Sequence, residues 1–224
     1  MDYADNREVL RNFYTSCGIL ESFNSDNKYL ESAFNAINHL WNDNFEEIEN
    51  VRFLMIAEAP MWGNDRKYFY NPEAKDSSFF RKNVLGEALG IPITNKLDFI
   101  RRCNEIGLLI VDILPYALNN NTTISYQQMR KSDYRRLLKE TTPFYFRKKM
   151  MAIKKKVSND TKVFYRYKGR VKDWSADLIC PILIENGIIE SATDILDVAG
   201  HNMPMDGEKL RDIINPTKQK HAQF

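Results

Sequence analysis

The sequence predicts a three-layer α/β/α domain built on a central, mostly parallel sheet of about four strands. Three observations carry that expectation. Two short stretches, 51–57 and 108–111, are apolar at nearly every position, the pattern of strands buried on both faces. Each runs into a carboxylate, Glu58 or Asp112, and a proline follows at Pro60 or Pro115. Segments with helical spacing alternate with these stretches, as right-handed crossovers between parallel strands require.

Two helices are expected first, over 5–17 and 27–42. Ala33, Phe34, Ile37, Leu40 and Trp41 give the second an apolar face. After the strand at 51–57, a long loop carries Trp62, Gly63, Asn64, Tyr68, Phe69 and Tyr70. Ser77 or Ser78 would cap a helix over 79–89, and Gly90-Ile-Pro92 would stop it. Thr94 or Asn95 would cap a helix to Glu105, ended by Gly107. The second strand covers 108–112, and Asn119 to Asn121 mark a loop. Helices are expected from Ser132 and over 143–157, a third strand over 162–165 and a helix over 171–185. That last helix carries Trp174, Leu178, Ile179 and Ile182 at helical spacing, and Asn186-Gly187 ends it. A short fourth strand falls within 192–198. Asp206 would cap a last helix to Ile214.

A chain of 224 residues with 43% hydrophobic and 28% charged residues is ordinary for one globular domain. We therefore expect a single unit, with N-terminal helices over 1–50, an α/β core over 51–214 and a frayed tail over 215–224. No apolar stretch approaches the roughly 20 residues of a membrane span. The polar start Met1-Asp-Tyr-Ala-Asp-Asn does not read as a signal peptide. Cys17, Cys103 and Cys180 are scattered, and His39, His201 and His221 lack metal-ligand spacing. A cytoplasmic, monomeric protein without metal, metal cluster or other cofactor is the expectation. P-loop, GxSxG, HExxH and dinucleotide glycine fingerprints are missing from the sequence. Net charge is only +2, yet the stretch 135–172 holds fourteen Lys and Arg against Glu140 and Asp160. Such a stretch is either a solvated helix face or a grip for phosphates. Tyr165, Arg166 and Tyr167 mix aromatic and basic residues at the end of the third strand.

Three loops follow strand ends and would meet at one sheet edge: 58–70, 112–118 and 200–205. Their motifs are Ala57-Glu58-Ala59-Pro60-Met61, the aromatics Tyr68, Phe69 and Tyr70, Asp112-Ile-Leu-Pro115, and Gly200-His-Asn-Met-Pro-Met205. In this order they resemble the uracil-DNA glycosylase superfamily, over roughly residues 52–214. The likeness is nearest to uncharacterised, divergent members of that superfamily. It implies the corresponding fold and a DNA glycosylase-like activity of base-excision-repair type, hydrolysing the N-glycosidic bond of a flipped, damaged or modified base.

Under that resemblance Glu58 would stabilise an oxocarbenium-like sugar or orient the attacking water. His201, or a backbone N–H near it, would serve the leaving base. Asp112 and Asn202 would contact the base, and one of Tyr68, Phe69 and Tyr70 would stack on it. Met203 or Met205 would wedge into the vacated stack, and Arg166, Lys168 and Arg170 would hold the DNA. The chain departs from the superfamily where Asp112 replaces an asparagine and Met61 a glycine. An ionised Asp112 offers only acceptors and suits a base presenting donors. Two other functions fit the same residues: a catalytically silent nucleic-acid-binding module, and a hydrolase of free nucleosides or nucleotides.

Overall fold

A computed structural model describes residues 1–63, 68–74, 82–198 and 207–215. Four parallel strands form one sheet in the order β2-β1-β3-β4: β1 Val51–Ala57, β2 Leu108–Asp112, β3 Val157–Tyr165 and β4 Ile195–Leu196. Helices pack on both faces, which makes the expected three-layer α/β architecture. All of β2 is buried, and so is β1 apart from Arg52. That is why both read as unbroken apolar runs rather than alternating ones.

Helices α1 (Tyr3–Ser16) and α2 (Leu20–Glu47) precede the sheet. Between β1 and β2 lie α3 (Lys82–Leu89) and α4 (Lys96–Glu105). Between β2 and β3 lie α5 (Lys131–Thr141) and α6 (Phe146–Ile153); α7 (Ala176–Glu185) leads to β4, and α8 (Gly207–Ile214) follows it. Asn95 caps α4 by accepting the Asp98 N–H at 2.9 Å. The turn from α4 into β2 needs glycine: Gly107 has φ +73°, and a Cβ there would lie 2.4 Å from the Asn50 carbonyl. The caps expected from Ser77, Ser78 and Asp206 lie outside the described residues.

Several boundaries differ from the sequence reading. Helix α2 runs 28 residues instead of starting near 27. Its polar residues do not break it, because Ser25, Asn38 and Asn44 each donate to the carbonyl four residues back. The helix expected over 143–157 is confined to α6, and β3 starts five residues earlier than expected. The first half of β3, exposed at Ser158, Asn159 and Asp160, carries no apolar signal. The helix expected over 171–185 is two elements: a π-helical turn over Lys168–Asp173, then α7. In the segment 192–198 only Ile195–Leu196 pairs. Ser191 and Asp194 form a capping box that turns Ala192–Asp194 into a 3₁₀ turn.

The outer side of edge strand β2 is closed by two aromatic side chains. The Ile110 N–H donates to the Tyr70 hydroxyl at 2.8 Å, and Trp41 Nε1–H donates to the Ile110 carbonyl at 3.0 Å. The edge therefore presents no pairing template at its centre. Tyr70→Phe leaves a buried N–H unmade and is expected to cost about 1.5 kcal/mol. Urea denaturation reads it as a lower midpoint at unchanged slope. A loss below about 0.3 kcal/mol would mean that the edge is satisfied by another group.

Candidate functional site at the carboxyl edge of the sheet

In a sheet of this order the chain leaves β1 toward β2, then crosses back over β1 to β3. The crevice between the carboxyl ends of β1 and β3 is the switch point, where such sheets hold ligands. The pairing positions that edge residue by residue. Ala57 is level with Asp112, and Ile56 with Tyr165. Beyond the regular ladder, Ile113 N–H bonds the Ala57 carbonyl, Leu114 N–H the Glu58 carbonyl and Arg166 N–H the Ile56 carbonyl. Three adjacent strands thus end in Asp112, Glu58 and Arg166.

Glu58 reaches across the switch point to Arg170, whose Nε–H donates to its carboxylate. The π-helical turn presents this arginine, and Ser175 Oγ–H fixes it by donating to the Arg170 carbonyl at 2.6 Å. The Glu58 side chain keeps 16% of its surface exposed and that of Arg170 30%, so the pair is partly in contact with solvent. Burial pushes the Glu58 carboxyl above its ordinary value, with Arg170 opposing.

Asp112 lies deeper, at 6% exposure. Burial raises its carboxyl to about 7; Arg166 opposes, Glu58 adds to the rise, and Lys149 opposes. Burial thus favours the protonated form, which offers a donor as well as an acceptor. The hydroxyls of Tyr68, Tyr126, Tyr134, Tyr145 and Tyr167 all feel the Asp112 charge, and burial raises each of them.

The aromatic run behaves mainly as core. Tyr68, Phe69 and Tyr70 are all buried. The Tyr70 hydroxyl is committed to the β2 edge, and Phe69 meets Phe99 edge-on at 5.1 Å. Both Tyr68 and Tyr70 feel the Asp112 charge. Partly exposed rings in the segments that follow β1 and β3 are Trp62 and Tyr167. Trp62 lies against Tyr29 at 3.9 Å between centroids, and the Tyr29 hydroxyl bonds both the N–H and the carbonyl of Gly63 at 3.0 Å. His201, Asn202, Met203 and Met205, and the loop residue Asn64, lie outside the described residues.

The basic stretch is divided by the fold. Arg166 is 4% exposed, which removes it from any outer phosphate grip, whereas Lys168 is exposed. Lys172 pairs with Asp197, Arg147 with Glu185 and Lys148 with Asp5. Lys156 donates to the Phe45, Glu46 and Ile48 carbonyls, closing the end of α2. Lys154 and Lys155 precede β3, at the sheet end opposite Glu58. Arg135, Arg136 and Lys139 line, with Glu140 and Leu178, an open groove of about 440 Å³; Arg135 is held there by Asp177 through two bonds of 2.6 Å.

Sequence reasoning missed Lys149. It is 1% exposed, its Nζ lies 3.3 Å from the centre of the Trp41 ring, and it has no hydrogen-bond partner among the described residues. A signal existed: Lys149 sits three residues after Phe146 and four before Ile153, on the apolar stripe of α6. Among the described residues no helix is long and apolar enough to cross a membrane, and no group of three or more His, Cys, Asp or Glu is placed to hold a metal. Compared with protein families, curated proteins and solved structures, the chain matches none of them.

Proposed function

We propose that the carboxyl edge of the sheet hydrolyses the N-glycosidic bond of a nucleobase in DNA, with Glu58 facing the sugar and Asp112 reading the base. The observation that carries this reading is the pair of carboxylates at the ends of neighbouring parallel strands. Both are raised by burial, and both are met by arginines at the switch point. A carboxylate in that place stabilises developing positive charge on the sugar or orients water. Burial favours the protonated form of Asp112, which can donate to a base carbonyl and accept from an N–H. The phosphate next to the target base competes for Arg170, which frees Glu58 for the sugar. Trp62 and Tyr167 supply the ring surface that the buried aromatic run does not.

A silent nucleic-acid-binding module is the second reading, favoured by the ion pair that already occupies Glu58. The two part on base release, followed by chromatography of free bases from duplexes, single strands and free nucleosides carrying uracil, hypoxanthine, xanthine or alkylated bases. Release from polymers, with a base preference altered in Asp112→Asn, supports the glycosidase. Release from nucleosides at equal efficiency would move the activity to a nucleoside hydrolase. Lys168 is exposed beside the site, and Lys168→Glu is expected to weaken DNA binding and lower the salt slope by about one. An unchanged slope would remove Lys168 from the phosphate path.

A further inference from the structure

The loop that leaves β1 is pinned at both ends. At its start the Glu58 carbonyl accepts from the Leu114 N–H at 3.1 Å. At Gly63 the Tyr29 hydroxyl accepts from the N–H and donates to the carbonyl, each at 3.0 Å. Between these anchors Pro60 is buried, while Glu58 and Trp62 stay partly exposed. The Trp62 ring lies on the Tyr29 ring, with 3.9 Å between centroids and 44° between planes. Tyr29 stands on α2, beside the buried stripe of Asp26, Leu30 and Ala33. It lies outside the segment 52–214 whose motifs carry the resemblance. Phenylalanine there would supply the same ring contact; the hydroxyl adds the fixing of the residue that follows Trp62.

We propose that Tyr29 is a positioning residue, which holds the Trp62 indole in place to stack on a planar heteroaromatic ring whose substituent faces Glu58. With one face on Tyr29, the indole meets a ligand with its other face. Four residues of chain carry Glu58 to Trp62, so their Cα atoms lie at most about 14 Å apart. That span is short enough for a ring on the indole to carry its attached group toward the carboxylate. An indole fixed before the ligand arrives loses little freedom on binding. Stacking on it needs only a π-face, which every base has. That the ring is a nucleobase in DNA rests on the glycosidase reading; the clamp itself does not.

The test labels the full chain with 5-fluorotryptophan and follows it by ¹⁹F NMR, the Trp62 signal being identified by its loss in Trp62→Ala. Free deoxynucleosides and a short single-stranded oligonucleotide are the probes. The Trp62 signal is expected to shift and saturate with at least one of them. Trp62→Ala should weaken binding of that probe about tenfold or more. Tyr29→Phe should weaken it about fivefold, but by less than about twofold in the Trp62→Ala background, because Tyr29 acts through the indole. Equal losses in both backgrounds, or wild-type affinity in Tyr29→Phe, would overturn the proposal. So would a Trp62 signal that no probe moves, whatever base release shows. A shifted Trp62 signal without base release sinks only the glycosidase reading.

Discussion

Lys149→Met is expected to make the protein more stable at pH 6 by about 3 kcal/mol, a rise in melting temperature of roughly 6–12 °C for a chain of this size. The lysine amine is lowered from 10.5 to about 6 by burial, with Asp112 opposing. In the unfolded chain it takes up its proton near 10.5, so between about 6 and 10.5 the unfolded state binds the extra proton. Wild-type stability then rises with pH across that window, and the penalty is fully present below pH 6. Asp112 acts in the other direction. Its folded value of about 7 lies above its ordinary one, so its penalty is absent at low pH and grows between about 4 and 7. Methionine removes only the first penalty. Its gain should shrink steadily above pH 6 and vanish near 10.5. It also leaves Asp112 without one opposing charge, and the carboxyl answers by holding its proton longer. Thermal unfolding of both proteins from pH 5 to 10 checks the prediction. A stability loss at pH 6 would mean that the cation and the Trp41 ring contribute more than desolvation costs.

Glu58→Gln is expected to lower base release by about a thousandfold while changing stability by less than about 1 kcal/mol. Glutamine keeps the shape and accepts from Arg170, but it cannot carry the negative charge that faces the sugar. Its effect on folding is small because two costs offset. The wild-type carboxyl is already disfavoured by burial, and the Arg170 side chain, 30% exposed, remains hydrated when its partner is neutral. A drop in activity without a drop in melting temperature separates chemistry from folding.

The strands β1 and β2 were legible because their signal is local. Both are buried on two faces and stop at a charged residue, so their expected bounds coincide with the observed ones. Gly107 was legible for the same reason, and the cap of α4 was legible as Thr94 or Asn95, of which Asn95 forms it. The start of β3 was not legible, because its first half is solvated and reads as loop. Nor was the split before α7, where a π-helical turn and α7 share one apolar spacing. In the site, Glu58 and Asp112 follow from strand ends. Arg170 as the partner of Glu58 does not, because 112 residues separate them and only the order of the strands brings them together. The run Tyr68, Phe69 and Tyr70 reads as core packing by residue type, and only the resemblance turns one of the three toward a base. What the sequence does not display is the closure of the β2 edge by the Tyr70 hydroxyl.

The most direct measurement is base release by wild type and Glu58→Gln, side by side, on duplex and single-stranded DNA carrying a panel of modified bases. The account predicts free base from the wild type on at least one polymer and a loss of about a thousandfold in the variant at an unchanged melting temperature. Equal release by both proteins, or none from any substrate alongside DNA binding that survives Glu58→Gln, would contradict it.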